Sequence, residues 1–127
     1  MTPFQIRVKS DDVNLQGHPR LMHGLVVLCE TIYDVTNGRV IPVITSVWDQ
    51  THGENSLHYI GCAGDVRSHY LNDEEKQQVL DQARAELGRE YDLLLEGWGS
   101  PNEHFHIEWD VGKHDRVEAI REALGAK

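Results

Sequence analysis

Cysteine is scarce in this chain. Two occur in 127 residues, Cys29 and Cys62, and no C-x-x-C pair exists. A disulfide framework is thereby excluded. Cys29 falls in an apolar helical run and Cys62 among small residues, so both read as buried thiols. Positive charge is also short: 12 Lys and Arg stand against 21 Asp and Glu, for a formal net charge of -9. Such a surface repels phosphate backbones and anionic lipid, so nucleic acid and membrane are not expected partners. Long apolar runs are missing as well. None reaches 18 residues, so no transmembrane helix is expected. The opening "MTPFQIRVKSDD" has no apolar h-region, and synthesis in the cytoplasm without a signal peptide is the expectation. Internal repeats, low-complexity tracts and linkers are lacking too, so residues 1–127 read as one domain with one core.

Histidine, by contrast, is plentiful, with eight residues beside three tryptophans. The spacing of Leu21, Leu25, Val26, Cys29, Ile32 and Tyr33 predicts a helix over 19–35, opened by Pro19 and stopped by "TNG". "RVIPVITSVW" (39–48) reads as a strand that Pro42 pushes to an edge or a bulge. A polar loop is expected at 49–56 and a short strand at 61–67. A second helix follows at 72–88, capped by Asn72 or Asp73 and ended by Gly88. Strands at 91–96 and 104–111 and a final helix at 115–125 complete the chain. This order predicts an α+β fold, with an antiparallel sheet of about four strands and helices packed mainly on one face.

Two stretches carry chemistry. In "HFHIEWDV" (104–111), strand alternation puts His104, His106, Glu108 and Asp110 on one face and Phe105, Ile107, Trp109 and Val111 on the other. Imidazole is the commonest metal-binding side chain, and two on one strand face can point into one cleft. In "SLHYIGCAGD" (56–65), Gly61 and Gly64 allow a tight path that brings His58 and Asp65 together. A catalytic zinc takes three protein N and O ligands and keeps one position open. His58, Asp65 and His106 supply that set, and Glu103 is the candidate general base.

The first stretch fits Ser-x-His-x-x-Gly-x-Ala-x-Asp through Ser56, His58, Gly61, Ala63 and Asp65. The second, "EHFH", fits Glu-x-x-His through Glu103 and His106. Together they resemble the D-Ala-D-Ala metallopeptidases. That group includes zinc D,D-carboxypeptidases, the D,D-dipeptidases of vancomycin resistance, phage endolysins cutting L-Ala-D-Glu, and the related amino-terminal domain of hedgehog proteins. The resemblance covers roughly residues 20–111. It implies a hedgehog/DD-peptidase-like fold, zinc on His58, Asp65 and His106, and Glu103 as the base. It further implies a role for His104 near the substrate or oxyanion, and for Ser56 in steadying a ligand by hydrogen bond. Trp98, between two glycines ahead of the second motif, is placed at the cleft flank.

Family members often carry an Arg at the end of the strand before the first motif. Here "TSVWDQ" puts Asp49 at that place, and Arg39 and Arg67 are the nearest cationic residues. The implied activity is zinc-dependent hydrolysis of peptidoglycan stem peptides or other D-Ala-containing peptides, reached at the cell wall by phage-type release. The alternative is a zinc-binding module of the same fold that does no hydrolysis.

Overall fold

The computed structural model of the protein describes residues 4–10, 13, 15, 18–51 and 60–110. Helix α1 (Pro19–Val35) starts with Pro19, whose missing N–H is not needed there, and with His18 as cap, its Nδ1 accepting from Arg20 N at 3.1 Å. Leu21, Leu25, Leu28 and Ile32 form its fully buried stripe. The helix ends where Asn37 (φ 52°) and Gly38 (φ 77°) turn left-handed, and Gly38 N donates back to Tyr33 O at 2.8 Å. Helix α2 (Asp73–Leu87) opens on a capping box in which Asn72 and Glu75 each accept from the other's backbone N–H. It buries Val79, Leu80, Ala83 and Leu87. The C-cap is Gly88, at φ 83°.

Five strands make one sheet in the order β1-β2-β3-β5-β4. They are β1 (Arg7–Val8), β2 (Val43–Thr51), β3 (Ile60–Arg67), β4 (Tyr91–Glu96) and β5 (His104–Asp110). The β2–β3, β3–β5 and β4–β5 pairs are antiparallel, whereas β1 runs parallel to β2. The α+β class is as expected, but the sheet has five strands and is mixed, not a purely antiparallel sheet of about four. The addition is β1, two residues long and so without any periodicity to read. Pro42 lies just ahead of β2, where its lack of an N–H costs no ladder bond, and its carbonyl accepts from Arg7 N at 2.9 Å. Strand β2 continues into the stretch expected to be a loop, pairing as far as Thr51 with Ile60. The helix expected at 115–125 lies outside the described residues. Among those residues, no helix is long and apolar enough to cross a membrane.

Both helices cover one face of the sheet. Cys62, Val66, Leu93, Phe105, Ile107 and Trp109 meet Leu21, Leu25, Leu28, Val79 and Ala83 in one buried cluster. The approach is close: a Cβ on Gly24 would come within 2.8 Å of the Tyr91 ring and 2.9 Å of Ile107 Cδ1. Cys29 and Cys62 are both fully buried, and burial, with the nearby charge of Glu30, pushes the Cys29 thiol up to about 12. Covering one face leaves the other for chemistry. Asp65, Arg67, Glu96, His104, His106 and Glu108 all fall there by alternation.

Candidate metal centre

Register assembles the site. Asp65 of β3 lies opposite His106 of β5, and His104 lies between Arg67 of β3 and Glu96 of β4. Residues so paired stand side by side on one face. Asp65, Glu96, His104 and His106 consequently converge, each offering one ligand atom within 4.8 Å of the others. These four could hold a metal ion.

Each imidazole is oriented by a second partner. His104 Nδ1 sits 2.6 Å from Asn102 O. A carbonyl only accepts, so Nδ1 carries a proton and Nε2 is the nitrogen available to a metal. That nitrogen faces Asp65 Oδ1 and Glu96 Oε1, each at 3.6 Å. A backbone carbonyl that fixes the tautomer in this way is the usual companion of a metal-binding His. His106 lies between two carboxylates, with Nδ1 2.7 Å from Asp65 Oδ1 and Nε2 2.8 Å from Glu108 Oε1. Both nitrogens then donate, and the ring is an imidazolium in the absence of metal. Its pKa is raised from 6.5 to about 9. The hydrogen bond to Asp65 is the main cause; burial opposes it, and Glu108 and the charge of Glu96 add to it.

The donor set suits a divalent cation that takes nitrogen and oxygen ligands, zinc among others. Tetrahedral N and O donors at about 2.1 Å from the ion stand about 3.4 Å from one another. The separations are 3.3 Å for His106 Nδ1 to Glu96 Oε1 and 3.6 Å for His104 Nε2 to each carboxylate. Asp65 Oδ1 and His106 Nδ1, at 2.7 Å, are closer. That is a hydrogen-bond distance, with the His106 N–H donating to the Asp65 carboxylate.

That proton gives a pH prediction. A group whose pKa rises on folding stabilises the fold below its ordinary value and loses that contribution as pH passes its folded value. For chelator-treated protein, the thermal midpoint is expected to fall as pH rises from about 6.5 to about 9, following the His106 shift. Replacing His106 by Gln should flatten that fall. A wild-type midpoint that stays level over this range would contradict the imidazolium assignment.

Glu103 stands elsewhere. It immediately precedes β5 and has the parity of Phe105, so its side chain turns to the helix side of the sheet. Its carboxylate accepts from Ser68 Oγ at 2.6 Å, Gly99 N at 2.8 Å and Lys76 Nζ at 2.9 Å. Burial pushes its pKa up, but these bonds and the Lys76 charge outweigh it and hold the carboxyl below its ordinary value. Glu103 is not among the four converging donors. Trp98 also faces α2: its Nε1 donates to Asp73 Oδ1 at 3.0 Å, and Lys76 lies 5.8 Å from its ring centre. Arg67 occupies the open face opposite His104. Asp49 lies in β2, paired with Cys62. His58 and Ser56 lie outside the described residues.

Of the expected set, the structure therefore brings together Asp65, His104 and His106, and adds Glu96. Sequence reasoning missed Glu96. Its signal was parity: it ends a strand of alternating exposure, "YDLLLE", and a seven-residue loop at 97–103 returns the chain so that His104 lies beside it. No family model, curated protein or solved structure matches this chain.

Proposed function

We propose that this protein is a zinc-dependent hydrolase that cuts peptide bonds in peptidoglycan stem peptides, as a D,D-carboxypeptidase or an L-Ala-D-Glu endopeptidase. In this reading it shares the hedgehog/DD-peptidase-like fold and reaches the cell wall by phage-type release. The observation that carries the reading is the convergence of Asp65, Glu96, His104 and His106 on the uncovered sheet face, three of them within the two stretches that resemble that family. Zinc, when bound, polarises a carbonyl and lowers the pKa of water toward about 7. Asp65, His104 and His106 would hold it, which leaves a fourth position for water or substrate.

We assign the general base to Glu96. It is the most open of the four, with its side chain 47% exposed, so it can move between the cluster and an incoming water. Its carboxylate takes the proton as the water oxygen adds to the scissile carbonyl carbon. The C–N bond then breaks and the proton passes to the leaving amine. Glu103, held by three donors, secures the start of β5 on α2.

One observation favours a non-catalytic zinc module instead. Four protein donors lie close enough to close a tetrahedral site, which is the pattern of structural zinc. Digestion of purified peptidoglycan separates the two. Zinc-loaded protein is expected to release new amino groups from stem peptides, and a chelator is expected to stop it. Zinc binding without cleavage of peptidoglycan or of D-Ala-D-Ala-ended peptides selects the module.

A further inference from the structure

A second feature of the open face is cationic. A groove of about 520 Å³ lies at the sheet end where β1, β2 and β3 meet the loops before β2 and after β3. Arg7, Arg39, Arg67, His69 and Tyr70 are among the residues that line it. In a chain of net charge -9 with 12 Lys and Arg, three arginines on one groove are a concentrated positive site.

The three are not equivalent. Arg39 is a fixed wall: Nη2 reaches both oxygens of Glu75 at 2.7 and 2.6 Å, and Nη1 donates to Tyr70 O at 2.9 Å. The carbonyl it grips belongs to a residue in the left-handed region, at φ 70°, which is a strained conformation for a tyrosine. The Tyr70 side chain is thereby presented at the rim, 82% exposed. Arg7 and Arg67 are the opposite case. Among the described residues, neither forms an ion pair or a side-chain hydrogen bond. Arg7 lies opposite Val43, which is in line with Arg67 because Ile44 pairs with Val66. Two guanidiniums on one row, separated by an apolar residue, repel each other unless an anion lies between them. A planar fork with several donors matches the oxygens of a carboxylate or phosphate.

We propose that Arg7 and Arg67 form a binding site for an oxyanion, a carboxylate or phosphate group on a small organic ligand, in the groove framed by Arg39 and Tyr70. The site adjoins the metal cluster. Arg67 is two residues beyond Asp65 on the same face, about 7 Å along the strand, and lies beside His104. A ligand anchored there by its charge would extend over Asp65 and His106. That direction rests on the hydrolase reading; the anion site itself does not.

The test is binding to the full-length, chelator-treated protein, where no turnover can contribute. Isotope-labelled protein is titrated with inorganic phosphate, with N-acetylglycine, and with neutral N-acetylglycinamide. Saturable shifts at Arg7 and Arg67 with an oxyanion, and none with the amide, are expected. Tighter binding of acetylglycine would assign a carboxylate ligand, and tighter binding of phosphate a phosphate. Arg7→Gln and Arg67→Gln are each expected to weaken binding by roughly tenfold, with Arg67→Lys intermediate and Arg89→Gln unchanged. Circular dichroism reports whether each variant is folded. The proposal is overturned if neither oxyanion saturates, if the amide shifts the same signals equally, or if folded Arg67→Gln and Arg67→Lys bind as wild type does. Loss of hydrolysis with oxyanion binding intact would count against the hydrolase alone.

Discussion

Glu96→Gln is expected to lower the turnover of stem-peptide hydrolysis by roughly a hundred- to ten-thousandfold, the range usual for loss of a general base. Gln keeps the size of the side chain and its position beside His104, but it cannot accept the water proton. Glu96 is also one of four donors, so its loss should leave a site that still takes zinc through Asp65, His104 and His106. Steady-state rates with metal content determined on the same samples separate the two effects. Glu103→Gln is the contrasting variant and should retain most of the turnover. If the rates come out reversed, with Glu103→Gln inactive and Glu96→Gln active, the base is Glu103. Its bonds to Ser68, Lys76 and Gly99 would then have to open during catalysis.

Glu103→Ala should cost stability instead, by about 1–2 kcal/mol in urea unfolding, because it removes an ion pair and the shorter hydrogen bonds of a largely buried joint. Ser68 is fully buried, and the side chains of Lys76 and Glu103 are only 12% and 10% exposed. Removing the carboxylate leaves Ser68 Oγ only the Glu103 backbone carbonyl, at 3.3 Å, and Lys76 only its longer contact with exposed Asp73, at 3.6 Å. Glu103→Gln should cost less, since its amide oxygen can still accept from Ser68. Equal stability of Glu103→Ala and wild type would show that the three bonds hold nothing in place. The prediction also separates a structural role for Glu103 from a catalytic one, because a base exposed to substrate would cost activity at little cost in stability.

Local patterning made much of the fold legible. The helix at 19–35 has the expected bounds because its buried residues repeat at helical spacing and because Pro19 and Gly38 punctuate it. Alternation in 104–110 correctly placed Phe105, Ile107 and Trp109 in the core, and with them the two histidines on the open face. Strand β1 was not legible, because two residues have no period and the parallel partner is more than thirty positions away. The site was half legible for a similar reason. Asp65, His104 and His106 each lie in a readable strand, but the pairing of Glu96 with His104 depends on hairpin register. Glu103 shows the reverse. The motif Glu-x-x-His drew attention to it, whereas its odd position ahead of β5 puts it on the side of Phe105. Strand parity and the motif pointed to different faces, and the structure places the side chain by parity.

The central claim is that a metal sits among Asp65, His104 and His106. An anomalous difference map at the zinc edge, from crystals grown with zinc, tests it without reference to any substrate. One strong peak is expected about 2.0–2.2 Å from His106 Nδ1, His104 Nε2 and a carboxylate oxygen of Asp65. A zinc-saturated crystal with no peak among these side chains, or with its only peak elsewhere, would contradict the account.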